Sequence, residues 1–368
     1  MTGLNFEASL PYRHPADRVQ GWRRLTPPTI YLDYNATTPL DPAVREAMLP
    51  FLGDVFGNAS SVHHVGRRAR AAMDEARYRV SSLFNCKPSE VVFTSGGTES
   101  NNLAIFGTAR LMRDKGRHLI TTRVEHHAVL NCFEYLEKFE GFSVTYLPVD
   151  REGRVSVEDM KRALRPDTTL VSVMAANNEV GTVQPVAEMG AICRELRVFF
   201  HTDAVQWFGK LPFNDIHQFN ADLVSICAHK FHGPKGAGAL FIRSPLLPHP
   251  ILFGGSHENE RRAGTENVAA VAGFAEACSR FIRPPVFPND SLAALSDILI
   301  NSLHSVSGVS LVTPLKNRLP NTVSFIAKGC DSTALLAALD IEGVCASSGS
   351  ACSAGSLNPS HVLLARGV

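Results

Sequence analysis

Lys230 stands where a β-rich apolar run ends, in Ser225-Ile226-Cys227-Ala228-His229-Lys230-Phe231-His232-Gly233-Pro234. A lysine at the mouth of a strand can lose part of its hydration, which favours the neutral amine and opens Schiff-base chemistry on a carbonyl carbon. Read alone, the same residues describe a surface lysine opening a turn. Three further groups weigh against that plainer reading. Thr94-Ser95-Gly96-Gly97-Thr98-Glu99-Ser100-Asn101-Asn102 follows a predicted strand and opens a predicted helix. Its backbone N–H groups and the Thr98 hydroxyl can hold a phosphate at the positive end of the helix. Asp203, in His201-Thr202-Asp203-Ala204-Val205-Gln206, lies just past another strand, where a carboxylate can face a ligand in the crevice at the strand ends. His126, in Glu125-His126-His127-Ala128, follows a third strand and can stack on a ring or move a proton, and Asn178 and Gln206 can donate to a ring hydroxyl.

An anion cradle, a carboxylate for a pyridinium nitrogen, a flat group over a ring and a lysine are the parts that pyridoxal phosphate requires when it serves as an electron sink. Each residue also has an ordinary structural reading: the glycines turn the chain, Asp203 caps a helix, His126 is a satisfied core residue. Their placement at successive strand ends favours the ligand site.

Positioning these residues requires a sheet. Short β-branched runs at 91–93, 119–122, 144–147, 170–174, 199–202, 223–227 and 239–242 alternate with helix-like apolar spacing at 99–112, 128–139, 157–164 and 186–196. This is the βαβ rhythm, and several strands are apolar on both faces, as a sheet covered by helices requires. Near Pro284-Pro285 a proline-rich joint precedes a smaller unit with helices at 291–303 and 332–339. The stretch 346–356 is nearly all Ala, Ser and Gly around Cys352, which predicts a mobile loop.

Bulk composition narrows the class. A chain of 368 residues with 45% hydrophobic content suggests about two soluble domains. The net charge of +1 provides no field for nucleic acid or anionic lipid, and no uncharged apolar stretch is long enough to span a bilayer. Eight cysteines, at 86, 132, 193, 227, 278, 330, 345 and 352, lack paired-ligand spacing, so neither a disulfide frame nor a metal site is expected. No signal-peptide core is evident, and a reducing cytoplasm is the expected compartment. Residues 1–28 read as a flexible extension, and Cys345 reads as a strand-end core residue.

Seven motifs in order resemble the cysteine desulfurases of the NifS/IscS type. They are Tyr31-Leu32-Asp33-Tyr34-Asn35-Ala36-Thr37-Thr38-Pro39, the Ser-Gly-Gly-Thr-Glu-Ser-Asn-Asn run, Asn177-Asn178-Glu179-Val180-Gly181, the His-x-Asp-Ala-x-Gln run, Gly236-Ala237-Gly238-Ala239-Leu240, Arg262-Ala263-Gly264-Thr265-Glu266-Asn267 and Ser347-Ser348-Gly349-Ser350-Ala351-Cys352. The resemblance implies an α/β fold of the pyridoxal-phosphate transferase type I, with a mainly parallel seven-stranded sheet in a large domain (46–284). A smaller α+β domain would comprise 29–45 and 285–368.

It implies Lys230 as the lysine that anchors pyridoxal 5'-phosphate, Asp203 as the pyridinium partner and His126 as the stacking and proton-transfer group. Asn178 and Gln206 would contact the ring hydroxyl. Gly97, Thr98 and His229 would lie at the phosphate, and Asn35 would lie on the substrate side. Thr265 would reach the phosphate of a neighbouring subunit, which implies a homodimer. Cys352 would be the nucleophile that takes sulfur from L-cysteine as a persulfide for an acceptor or iron–sulfur scaffold protein.

Three departures accompany the match. Ala59 stands where proline is common, and Cys227 stands where a phosphate-contacting serine is common; a thiol is the poorer donor. The sequence ends at Val368, before the segment whose arginine grips the substrate carboxylate in such proteins, so a fragment or a variant with impaired substrate binding is expected. Selenocysteine lyase, an aminotransferase on the same scaffold and a non-catalytic scaffold protein are the rival readings.

Overall fold

The computed structural model describes residues 29–286, 289–349 and 359–368. The expected extension over 1–28 and the expected nucleophile Cys352 lie outside the described residues.

Eleven strands are described in chain order: β1 (Ile30–Tyr31), β2 (Val91–Thr94), β3 (His118–Thr122), β4 (Ser143–Leu147), β5 (Thr168–Ser172), β6 (Phe199–Asp203), β7 (Leu223–Cys227), β8 (Gly238–Ile242), β9 (Val309–Leu311), β10 (Phe325–Ala327) and β11 (Val344–Cys345). Seven of them form one sheet in the order β2-β8-β7-β6-β5-β3-β4. β8 runs antiparallel to both neighbours and the other pairings are parallel, so six strands present their carboxyl ends to one edge.

Side-chain alternation divides the core. Val91 and Phe93 enter one hydrophobic cluster and Val92 the other; Ile120, Val171 and Val224 share the first, while Leu119, Leu170 and Leu223 share the second. Every residue of β2, β3, β5, β7 and β8 is buried, which accounts for apolar runs without polar alternation. Helices Gly97–Met112 and His127–Glu140 cover one face, and helices His64–Phe84, Val186–Glu195 and Val268–Phe281 cover the other.

The observed strands and helices match the expected ones to within two residues at every end. Helices Pro42–Met48, His64–Phe84 and Val268–Phe281 are additions to the sequence reading. The last of these is buried over most of its circumference, so it lacks the polar stripe that betrays a surface helix.

Outside the large sheet, β1 pairs in parallel with β11, and β9 pairs antiparallel with β10. Cys345 ends β11 as expected, but it is half-buried rather than a core residue, because the two-stranded β1–β11 ribbon has too little sheet around it to enclose a side chain. Helix His361–Ala365 buries Val362 among Val124, Met174, Val180 and Val312, at the edge where β3 and β5 end. Among the described residues no helix is long and apolar enough to cross a membrane.

Candidate active site

The carboxyl edge of the sheet opens into a pocket that gathers residues from seven separate segments, Ser347 and Gly349 the last of them. Asn35, Gly97, Thr98, His126, Asn178, Asp203, Gln206, Cys227, His229 and Lys230 all line it, together with Asn101. Asp203 is the last residue of β6, and Lys230 ends the single turn Ala228–Lys230 that follows β7. Thr265 is exposed and does not line this pocket.

Helix Gly97–Met112 points its N-terminus into the pocket. Its N-cap, Gly96, has φ 149° and brings no side chain to the first N–H groups, so they face the pocket without a local acceptor. The approach is close on the sheet side: a Cβ on Gly238 would stand 2.7 Å from Gly96 Cα, and a Cβ on Gly97 would stand 2.7 Å from Val205 Cγ2. Glu99, the acid in the first turn, is drawn aside by Arg262 at 2.6 Å and by the Ser95 N–H at 2.8 Å, and these contacts hold its carboxyl below the usual range against the opposing effect of burial. The helix end is therefore left to an external anion.

Asp203 is 5% exposed, accepts from Asn101 Nδ2 at 2.6 Å and from the Val205 N–H at 3.0 Å. Asn101 Oδ1 is buried without a protein partner. Lys230 Nζ donates to the carbonyls of Asn35 and Ala36 at 2.6 and 2.7 Å. His126 caps helix His127–Glu140 by accepting the Ala128 N–H on Nδ1 at 3.0 Å, so its neutral ring carries the proton on Nε2. Burial, against the attraction of Asp203, keeps the His126 pKa below its ordinary value. His229 is pushed down to about 4, first by burial and then by Lys230, Lys235 and Lys210, and its Nδ1 lies 3.1 Å from Thr37 Oγ1. Two neutral imidazoles thus flank a pocket that contains one carboxylate and one accessible amine.

Asn35, expected beside a substrate, has its side-chain amide saturated by protein. Nδ2 donates to Asn178 O at 3.0 Å and Thr322 Oγ1 at 2.9 Å, while Oδ1 accepts from Lys210 Nζ at 2.8 Å and Asn321 Nδ2 at 3.0 Å. Burial pushes the Cys227 thiol up to about 11, so the residue standing in a serine's usual place is a weak neutral donor. Ala59 is buried at 6% exposure and belongs to the sheet-face core.

Three residues were missing from the sequence reading of the site. Asn101 lay inside the glycine-rich run and is one turn past Gly97 and Thr98 on the same helix, a spacing that could have flagged it. Lys210, four residues after Gln206, carried no signal, because lysine is ordinarily exposed. Glu125, beside His126, is completely buried, and desolvation raises its pKa to about 8. Its Oε1 accepts from Thr122 Oγ1 at 2.9 Å and the Met174 N–H at 2.8 Å, whereas Oε2 has no partner, so Oε2 bears the proton.

This proton has a consequence for stability. A carboxyl with a folded pKa near 8 and an ordinary value near 4.5 binds its proton more tightly folded than unfolded, so stability falls as pH rises through that window. At about 1.4 kcal/mol per unit, the loss between pH 6 and pH 8 is roughly 2 kcal/mol. Glu125→Gln places an NH₂ where Oε2–H stands and keeps the accepting oxygen, so its urea midpoint is expected to lack this decline. A variant whose stability follows the wild type across both pH values would contradict the assignment.

The Aminotransferase class-V family profile matches residues 30–367. Cysteine desulfurase IscS of Dictyoglomus turgidum is 51% identical over 337 residues, covering 91% of this chain and 85% of that protein. Among solved structures, a NifS-like protein superposes with a TM-score of 0.85 at 37% identity, covering 92% of this chain and 90% of that one. SspA in complex with cysteine superposes at 0.80 and 36% identity, covering 92% and 95%. The chain belongs to the class-V aminotransferase family, and within it to the cysteine desulfurases.

Proposed function

We propose that the protein is a cysteine desulfurase that binds pyridoxal 5'-phosphate, removes sulfur from L-cysteine to leave L-alanine, and passes the sulfur from Cys352 to an acceptor protein for iron–sulfur cluster assembly. The observation that carries this reading is the convergence of Lys230, Asp203, His126 and an uncapped helix N-terminus in one pocket. When bound, the cofactor supplies an aldehyde carbon and an electron-withdrawing pyridinium ring. The residues fit it: the glycines let the helix start close on Val205 and β8 where a Cβ would clash, its N-terminus has no side-chain cap, and the donor set holds one amine, one carboxylate and one flat neutral ring.

Lys230 would hold the aldehyde carbon and could serve as the base of the reaction. Asp203, oriented by Asn101, would keep a proton on the ring nitrogen. The N–H groups of Gly97 and Thr98, the Thr98 hydroxyl and the neutral His229 would hold the phosphate, and His126 would stack on the ring. Asn178 and Gln206 would serve the ring hydroxyl, and Asn35 would shape the substrate side. The Cys352 thiolate attacks the substrate sulfur: an S–S bond forms, the substrate C–S bond breaks, and the electron pair left on carbon takes a proton to give alanine. Thr265, exposed and outside its own pocket, fits a residue lent to a second copy, so a homodimer completes the site. The reading places the large cofactor domain at 46–284, the small domain at 29–45 with 285–368, the Cys352 loop at 346–356, and the protein in the cytoplasm.

Mass spectrometry of the peptide containing Cys352 after a single turnover with L-cysteine tests the proposal. One added sulfur is expected, with alanine formed in equal amount; Cys352→Ser is expected to keep the cofactor and lose both. A wild-type peptide without extra sulfur would overturn the reading.

A further inference from the structure

Lys210 is a lysine with no exposed surface, bound to two amide oxygens and to no carboxylate. Burying an amine in that way is costly, and a methionine of similar length would fill the same volume without the penalty. Its contacts indicate what the amine does. Nζ donates to Gln206 Oε1 and, at 2.8 Å, to Asn35 Oδ1. An amide's oxygen and nitrogen are nearly the same size, so packing alone leaves two orientations open. An amine whose hydrogens point at both neighbours favours oxygen facing Lys210, and it works together with the carbonyls Asn178 O and Asn35 O, which take the NH₂ groups on the far side.

Two consequences reach the pocket. Gln206 must turn its NH₂ away from Lys210; one hydrogen goes to Asn35 O at 2.9 Å, and the other remains for a ligand, since Gln206 lines the pocket. Asn35 must turn its NH₂ toward Asn178 O and Thr322 Oγ1, which anchors the backbone carbonyl that also accepts from Lys230 Nζ at 2.6 Å. Burial, reinforced by Lys230, lowers the Lys210 pKa well below that of a free lysine, in keeping with an amine that donates two hydrogens and needs no counter-ion.

We propose that Lys210 is a positioning residue: it sets the orientation of the Gln206 and Asn35 amides, so that Gln206 offers the pocket a donor and Asn35 O stays fixed beside Lys230. The inference rests on the pocket being the pyridoxal phosphate site.

The test compares wild type, Lys210→Met, Gln206→Met and the double variant. Pyridoxal phosphate is titrated into cofactor-free protein, the pH midpoint of the bound cofactor's visible band is recorded, and the cofactor-free melting temperature is measured alongside. Lys210→Met is expected to melt no lower than wild type, to bind pyridoxal phosphate roughly tenfold to a hundredfold more weakly and to shift the band's midpoint, as loss of a hydrogen bond to a charged group would. In the Gln206→Met background the Lys210 substitution is expected to add little further loss of affinity, because its effect passes through that amide. If Lys210→Met fails to fold, Lys210→Gln is read in the same way, since its end group can present an oxygen where the two lysine hydrogens point.

Affinity and band unchanged in Lys210→Met, or a loss undiminished in the Gln206→Met background, overturns the inference alone. A wild-type protein that takes up no pyridoxal phosphate overturns the site reading and the inference with it.

Discussion

Alanine formation from L-cysteine is expected to fall by roughly 10³-fold or more in Lys230→Ala, as it does when a group acting at the reacting atoms is removed. Lys230 is the amine in the pocket that is not buried, and its Nζ is held at 2.6 and 2.7 Å from two backbone carbonyls of the segment containing Asn35. Those carbonyls aim the amine without neutralising it. Truncation should leave the fold intact, because Lys230 is only partly buried and its two carbonyl acceptors are partly open to water. Lys230→Arg should fail to rescue the reaction, since a guanidinium stays protonated and is not a nucleophile at neutral pH. Borohydride reduction followed by peptide mapping checks the assignment. Pyridoxal phosphate tethered at Lys210 in the wild type, instead of at Lys230, would count against it.

The second large effect lies away from the chemistry. Glu258→Ala is expected to cost about 3–5 kcal/mol of unfolding free energy, because it leaves the Arg77 guanidinium without its carboxylate and the buried Phe93 N–H without its acceptor. The Arg77–Glu258 pair is two-pronged, with Nη1 at 2.9 Å from Oε2 and Nη2 at 2.5 Å from Oε1, and the Glu258 side chain is 4% exposed. Oε2 also accepts the Phe93 N–H of β2 at 3.0 Å. This carboxylate therefore ties the loop that leads to Thr265 onto the strand that leads into helix Gly97–Met112. The tie holds an unfavourable backbone in place: Glu258, Asn259 and Glu260 have φ of 50°, 55° and 64°, a left-handed run that residues with a Cβ seldom adopt. Arg77→Met combined with Glu258→Met should recover part of the loss, since neither charge is then stranded, while the Phe93 N–H of β2 still lacks its acceptor. Urea unfolding provides the measurement, and a loss under about 1 kcal/mol in the single variant would exclude the role.

Much of the fold was legible from local pattern. β6 was expected at 199–202 and spans Phe199–Asp203; the helix expected at 332–339 spans Ser332–Ile341. Such elements announce themselves through period and punctuation, such as the Asp331 side chain that caps the Ala334 N–H. Helix Val268–Phe281 was not announced, because its first eight residues are Ala, Val, Gly and Phe with no polar side, and its polar residues Glu276, Ser279 and Arg280 are confined to its last turns. The glycine-rich run, Lys230 and Asp203 were legible as neighbours because each follows a strand and faces the same sheet edge.

What the amino-acid order determined by itself was the set of reactive groups and their assignment to strand ends: an amine at 230, a carboxylate at 203, an imidazole at 126 and an uncapped helix start at 97, all set by short-range rules of strand, turn and helix. What only the tertiary structure decided was the state of those groups and of their neighbours. Asn35 meets Asn321 and Thr322 across more than 280 residues, Lys210 loses all contact with water, and Glu125 keeps a proton. Solvation and charge depend on which distant segments close over a side chain, and no local pattern contains that information.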